Sequence, residues 1–201
     1  MKTLIFDTET TGLPSRNMRE LSEAPYVIQL AAILYEDRND VASMCAYTIP
    51  ECRGEIEPIP KEKFFIENGL TDELIVNNGL SYRVALPFFN NLVRQADRIV
   101  AHNIDFDDVL IKAAYSRIAA PQDTYRSKFL GCTMKSLTDV LKLPGKRGYK
   151  WPSLDESYRA LVNPDGFQGA HDALVDVRAC ASILWAMEDR NIELYEHQGR
   201  F

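Results

Sequence analysis

The sequence predicts an α/β fold: a mixed five-stranded sheet flanked by helices, in one domain over residues 1–190 with a C-terminal tail over 191–201. Three observations point there. Three β-rich segments fall within the first 50 residues, strand-then-helix switches follow, and the chain closes on a long amphipathic helical pattern.

In chain order, residues 3–8 read as the first strand. "YVIQLAAILYE" (26–36) and "VASMCAYTI" (41–49) are two more, joined by the polar turn "DRND"; they are β-branched and close enough to be neighbours in a meander. Past the Pro- and Gly-bearing "PECRGEIEPIP", the segment "LTDELIVNN" starts a helix with Thr71 as N-cap and acids in its first turn. "SYRVALPFFNNLVRQ" (81–95) is helical, and Pro87 should kink it or delay its start. "RIVAHN" (98–103) is the fourth strand, followed at once by the helix "DFDDVLIKAAYSRIA" (105–119). "KFLGCTM" supplies the fifth strand and "TMKSLTDVLKL" a helix. A basic loop, "PGKRGYKWP" (144–152), leads into "SLDESYRALV", where Ser153 and Glu156 are spaced as a capping box. "DALVDVRACASILWAMEDR" (172–190) is the closing helix, and His197 in the tail "EHQGRF" should be mobile and uninvolved.

With 46% apolar and 26% charged residues, the composition is that of a soluble globular protein. No apolar run approaches the ~20 residues of a membrane span, and acids follow the short apolar start where a signal peptide would have small residues. A cytoplasmic location without membrane contact is expected. Cys45, Cys52, Cys132 and Cys180 form no C-x-x-C pair, which disfavours structural zinc and suits free thiols in a reducing compartment. Taken alone, the net charge of −6 argues against nucleic acid. Assigning four carboxylates to a metal site leaves only −2, and two bound cations would place positive charge where a phosphate must come.

"LIFDTETTGL" (4–13) places Asp7 and Glu9 two apart on a strand, so both carboxylates project to one face. Like charges that close raise each other's pKa or require a cation. A D-x-E pair arises by chance about once in a chain this long, so the pair alone is weak. "VAHNIDFDDVLI" adds Asp107 beside His102, Asn103 and Phe106 at the carboxyl end of a strand, where α/β folds gather ligands. Asp105 and Asp108 are explained as helix-dipole partners. "GAHDALVD" adds His171 and Asp176; five residues is about 140° of helix, so they converge only if His171 lies on the loop before it. Four carboxylates and a histidine suit Mg²⁺ or Mn²⁺ rather than zinc. Two such ions can clamp an in-line phosphoryl displacement while a neutral histidine accepts the proton of water.

The three segments "FDTETTGL", "VAHNIDFD" and "AHDALVD" resemble the exonuclease motifs of the DnaQ-like (DEDDh) 3′→5′ exonuclease family, and "ENGLTDEL" (67–74) resembles the connector between its first two motifs. The resemblance covers residues 4 to about 185. It implies a ribonuclease H-like fold and release of a 3′-terminal nucleotide as its 5′-monophosphate with two Mg²⁺ or Mn²⁺. It also implies Asp7, Glu9, Asp107 and Asp176 as metal ligands and His171 as general base. Thr10 and Leu13 match positions that contact the terminal nucleotide through a backbone amide and an apolar wedge. Gln29 stands where many relatives carry Glu near the terminal sugar, so sugar selectivity does not transfer. His102, Asn103 and Phe106 complete the substrate-facing set, with His102 also read as structural because the mechanism already has its base.

The expected substrate is the 3′ end of a single strand, DNA ahead of RNA. The rivals are a 3′→5′ exoribonuclease, a proofreading or accessory module with a polymerase or a second copy as partner, and a phosphatase of small nucleotides. Lys142, Lys146, Arg147 and Lys150 with Tyr149 and Trp151 suit a single strand, unless Trp151 is tucked into the core.

Overall fold

The apolar run that opens the chain forms β1 (Lys2–Thr10), and the sheet is assembled around it. The computed structural model describes residues 1–52 and 54–198; Arg53 and the last three residues of the predicted tail lie outside them. β2 (Val27–Glu36) and β3 (Asn39–Tyr47) follow as an antiparallel meander. The turn between them is shorter than the four residues expected. Asp37 and Arg38 both have positive φ, at 48° and 68°, and Glu36 already pairs with Asn39. A two-residue turn of that hand matches the twist of the strands it joins. β4 (Arg98–Ala101) and β5 (Phe129–Cys132) then add parallel to β1 on its other side.

Among the described residues the sheet has six strands, one more than the sequence predicts. β6 (Tyr195–Gln198) pairs antiparallel with β5, giving the order β6-β5-β4-β1-β2-β3. His197 is thus in a strand, opposite Leu130, and not in a loose tail. Four residues with one apolar ring carry no alternation to reveal a strand; the open edge of β5 supplies the pairing.

Among the described residues eight α-helices flank the sheet: α1 (Lys63–Glu67), α2 (Asp72–Asn78), α3 (Tyr82–Gln95), α4 (Ile104–Arg117), α5 (Asp123–Arg126), α6 (Thr133–Leu141), α7 (Leu154–Leu161) and α8 (Ala173–Asp189). Strand alternation sorts them into layers. Leu4, Phe6, Leu30 and Leu34 face Leu86 and Phe89 of α3 and Leu110 and Ile111 of α4. Ile5, Ala31, Ile33 and Val100 face Val177, Cys180 and Leu184 of α8. β2 is buried at nine of ten positions, as a strand covered on both faces must be.

The predicted caps form. Thr71 accepts from the Leu74 amide at 3.1 Å, and Ser153 with Glu156 makes the reciprocal capping box of α7. Pro87 does not delay α3, which begins at Tyr82. Tyr82 is 2% exposed, and its hydroxyl donates to the Val27 carbonyl at 2.8 Å, so packing on β2 secures the turn before the proline. Among the described residues no helix is long and apolar enough to cross a membrane, and Cys45, Cys132 and Cys180 are free thiols.

Candidate active site at the open end of β1

β1 outruns its parallel neighbour. The last β1–β4 pair is Ile5 with Val100 and β4 ends one residue later, so residues 7–10 continue beyond it. Asn103, in the left-handed conformation at φ 72°, turns the chain directly into α4. The second half-turn of α4 then carries Asp107 across the exposed edge, where the Thr8 hydroxyl donates to its Oδ1 at 2.7 Å. Asp107 is only 2% exposed.

The third segment arrives from the opposite layer. Gly169 and His171 both have positive φ, at 82° and 71°, so the loop doubles back just before α8. Asp172 caps that helix, accepting from the Leu174 and Val175 amides at 3.0 and 3.2 Å. His171 therefore stands on the loop and Asp176 on the first turn, the arrangement their five-residue spacing required. The His171 amide donates to Asp176 Oδ2 at 3.3 Å. Ligating atoms of Glu9, His171 and Asp176 all lie within 4.8 Å of one another.

Crowding of acids governs the electrostatics. Burial, followed by repulsion from Asp107, Asp176, Glu9 and Asp172, holds the Asp7 carboxyl well above its ordinary range. Burial and repulsion from Asp176 and Asp107 push Glu9 up to about 8. Burial raises Asp107 to about 7 against the opposing Thr8 hydrogen bond, and burial raises Asp176 to about 6. The sequence reading missed Asp172. Its charge acts on Asp7, Glu9 and Asp176, although its position before "ALVD" marks it only as a cap.

These residues fit a divalent cation. Asp176 Oδ1 is buried without a hydrogen-bond partner, and a buried carboxylate oxygen in that state calls for a cation or a proton. Asp7, Glu9, Asp107 and Asp176 are all oxygen donors, the set a hard ion takes.

The raised carboxyls have a consequence for folding. Their pKa values in the folded chain exceed those of the unfolded chain, near 4, so this stabilisation is complete below about pH 4 and is lost as pH rises through 6 to 8. In EDTA the Tm is expected to fall between pH 5 and 8.5, and Mg²⁺ or Mn²⁺ should restore it more at the higher pH. Thermal unfolding at the two pH values checks this; a metal effect that is equal at both would contradict it.

The remaining predicted residues divide. Leu13 is 83% exposed; with Phe106, Thr10 and His171 it lines a cavity of about 340 Å³ beside Glu9. Phe64 and Phe65 of α1 close its wall, and the Phe64 ring meets the His171 ring edge-on at 5.1 Å. The sequence reading missed both rings, whose only signal was an aromatic pair before the connector "ENGLTDEL". The Thr10 hydroxyl donates to the Gly12 carbonyl at 2.7 Å and shapes the turn. Asn103 caps α4 without a side-chain hydrogen bond.

Gln29 and His102 are held inside the protein. Gln29 is 4% exposed, and its Oε1 accepts from the Ala173 amide at 3.2 Å, tying β2 to the start of α8. His102 Nε2 lies 3.0 Å from the Pro152 carbonyl, which can only accept, so Nδ1 accepts from the Thr133 hydroxyl at 2.8 Å. Burial lowers the His102 pKa to about 4, leaving the ring neutral.

A six-stranded mixed sheet flanked by helices, with buried acids converging at the end of its first strand, defines the ribonuclease H-like class of α/β fold. Residues 4–184 match the family model RNase_T, described as Exonuclease, and the chain belongs to that family. It is 26% identical to Ribonuclease T of Actinobacillus pleuropneumoniae serotype 5b over 93% of this chain and 83% of that protein. It is 25% identical to Ribonuclease T of Haemophilus ducreyi over 93% of this chain and 85% of that protein. Among solved structures it resembles the nuclease domain of 3′hExo, a DEDDh family member bound to rAMP, with TM-score 0.70 and 15% identity over 99% of this chain and 97% of that one. It also resembles E. coli Exonuclease I in complex with a dT13 oligonucleotide, with TM-score 0.74 and 16% identity over 94% of this chain. The match spans only 41% of the Exonuclease I chain. The protein therefore carries an exonuclease domain over nearly its whole length.

Proposed function

We propose that the chain removes nucleotides from the 3′ end of single-stranded DNA as nucleoside 5′-monophosphates, working as one exonuclease domain in the cytoplasm. The observation that carries this reading is the convergence of Asp7, Glu9, Asp107 and Asp176 from three separate segments beside a loop histidine. Those four carboxylates would hold two Mg²⁺ or Mn²⁺, which supply Lewis-acid charge for in-line phosphoryl displacement. Leu13 and Phe106 wall the cavity that takes the terminal base, and the turn at Thr10–Gly12 presents backbone to it. His171 takes the proton of the attacking water as its oxygen bonds to phosphorus. The bond from phosphorus to the preceding O3′ breaks, and that oxygen takes a proton from solvent. The closed neutral tautomer of His102 leaves it to position the start of α4 instead of touching substrate.

The DNA reading is supported by structural relatives captured with dT13 and with 5′-overhanging duplex DNA. A second reading, trimming of RNA, is favoured by the two relatives named Ribonuclease T. Matched 5′-labelled DNA and RNA strands with Mg²⁺ separate them. The DNA should shorten from its 3′ end faster than the RNA; a reversed ratio replaces the DNA substrate by RNA. Failure of both strands to shorten would favour a module that needs a polymerase or a second copy.

A further inference from the structure

One motif plays no part in the chemistry above. Of the ten residues 142–151, four are Lys or Arg and none is acidic, in a chain whose net charge is −6. They fold as a projecting hairpin: Pro144–Gly145 pairs with Gly148–Tyr149, and Lys146 and Arg147 form the tip. Gly148 has φ 119°, and a Cβ on Gly145 would come within 2.9 Å of the Gly148 carbonyl oxygen, so both glycines are needed for so tight a return. Trp151 is 66% exposed and Tyr149 52%, so neither ring is tucked into the core. Among the described residues Lys142, Lys146 and Arg147 form no ion pair, whereas Lys150 is engaged by Glu156.

The base of the hairpin is fixed while its rings and tip are free. The Lys150 amide donates to the Leu143 carbonyl at 2.9 Å, and Ser153 caps α7 immediately afterwards. Buried between them, Pro152 accepts the His102 Nε2 hydrogen at 3.0 Å. His102 is the residue before Asn103, which turns the chain into the helix carrying Asp107. One hydrogen bond therefore joins the hairpin to the segment that delivers a site carboxylate. Large exposed rings on a rigid, cationic, acid-free arm match a chain of phosphates and bases.

We propose that the 142–151 hairpin is a second nucleic-acid contact, which holds the single strand on the 5′ side of the nucleotide being removed. Trp151 and Tyr149 stack on bases, and Lys142, Lys146 and Arg147 meet phosphates. This rests on the exonuclease reading for where the strand ends, but the contact itself can be measured without turnover.

Trp151 and Trp185 are the two tryptophans of the chain, so Trp185→Phe leaves Trp151 as the sole reporter. In EDTA, a single-stranded 12-mer should quench Trp151 emission and a dinucleotide should not. Lys146→Glu with Arg147→Glu should reduce the slope of log affinity against log salt by about 1.4, two phosphate contacts at ~0.7 each. With Mg²⁺, Trp151→Ala should lower the ratio of 12-mer to dinucleotide kcat/KM by roughly tenfold, within the range of one lost base stack. An unquenched Trp151 with a wild-type length ratio overturns the hairpin contact even if both substrates are hydrolysed. If quenching occurs and nothing is hydrolysed, the hairpin contact stands and the exonuclease reading falls.

Discussion

Replacing Asp7 by Asn is expected to lower kcat by at least ~10³-fold and, in the absence of metal, to raise the Tm above pH 7. The first effect follows from the charge that divalent cations bring to a phosphoryl transition state. That stabilisation amounts to several kcal/mol, and each ~1.4 kcal/mol is tenfold in rate. Asn keeps the shape and one oxygen but loses the negative charge that would fix a hard cation. The second effect has the opposite sign for the same reason. Asp7 is buried and repelled by Asp107, Asp176, Glu9 and Asp172, so ionising it without a cation costs stability. Single-turnover assays and melting curves in EDTA at pH 8 check both halves. Near-wild-type turnover in the variant would refute Asp7 as a metal ligand, and a lower metal-free Tm would refute the repulsion argument.

The second large effect is at His171. His171→Ala should slow hydrolysis by roughly 10² to 10⁴-fold, the range of a lost general base. It should leave metal-induced stabilisation nearly unchanged, because the four carboxylates remain. The side chain is exposed, and its neighbour Asp172 rather than its own ring caps α8, so the fold does not depend on the imidazole. A rate-versus-pH profile distinguishes loss of a base from loss of position. An unchanged profile in the variant would place the base elsewhere. Phe64→Ala offers a control for ring placement. It removes the edge contact at 5.1 Å and should weaken catalysis less than His171→Ala does.

Much of this site was legible along the chain because each part is local. A D-x-E pair on a strand needs only a period of two, and Asp107 needs only a strand end followed by a helix. Even the placement of His171 before its helix followed from the ~100° step per residue. The caps at Thr71 and Ser153 were legible for the same reason, since each spans three residues. What escaped involves residues far apart. β6 forms because β5 has an open edge, not because "YEHQ" has strand character. Phe64 and Phe65 reach His171 across about a hundred positions, and nothing in their neighbourhood signals it. Gln29 lines up by position with residues near the substrate sugar, yet its oxygen is bound to the Ala173 amide across 144 positions.

The sequence by itself determined the α/β class, the order of the main elements and the identity of the acids that meet, since residue type and local period decide those. Tertiary structure alone decided how the acids meet. β1 runs past the end of β4, which leaves an edge that α4 and α8 approach from opposite layers. Only there does burial push Glu9 and Asp107 up to about 8 and 7, and at Glu9 it is joined by repulsion from Asp176 and Asp107, carboxylates that are distant along the chain and meet only through the fold.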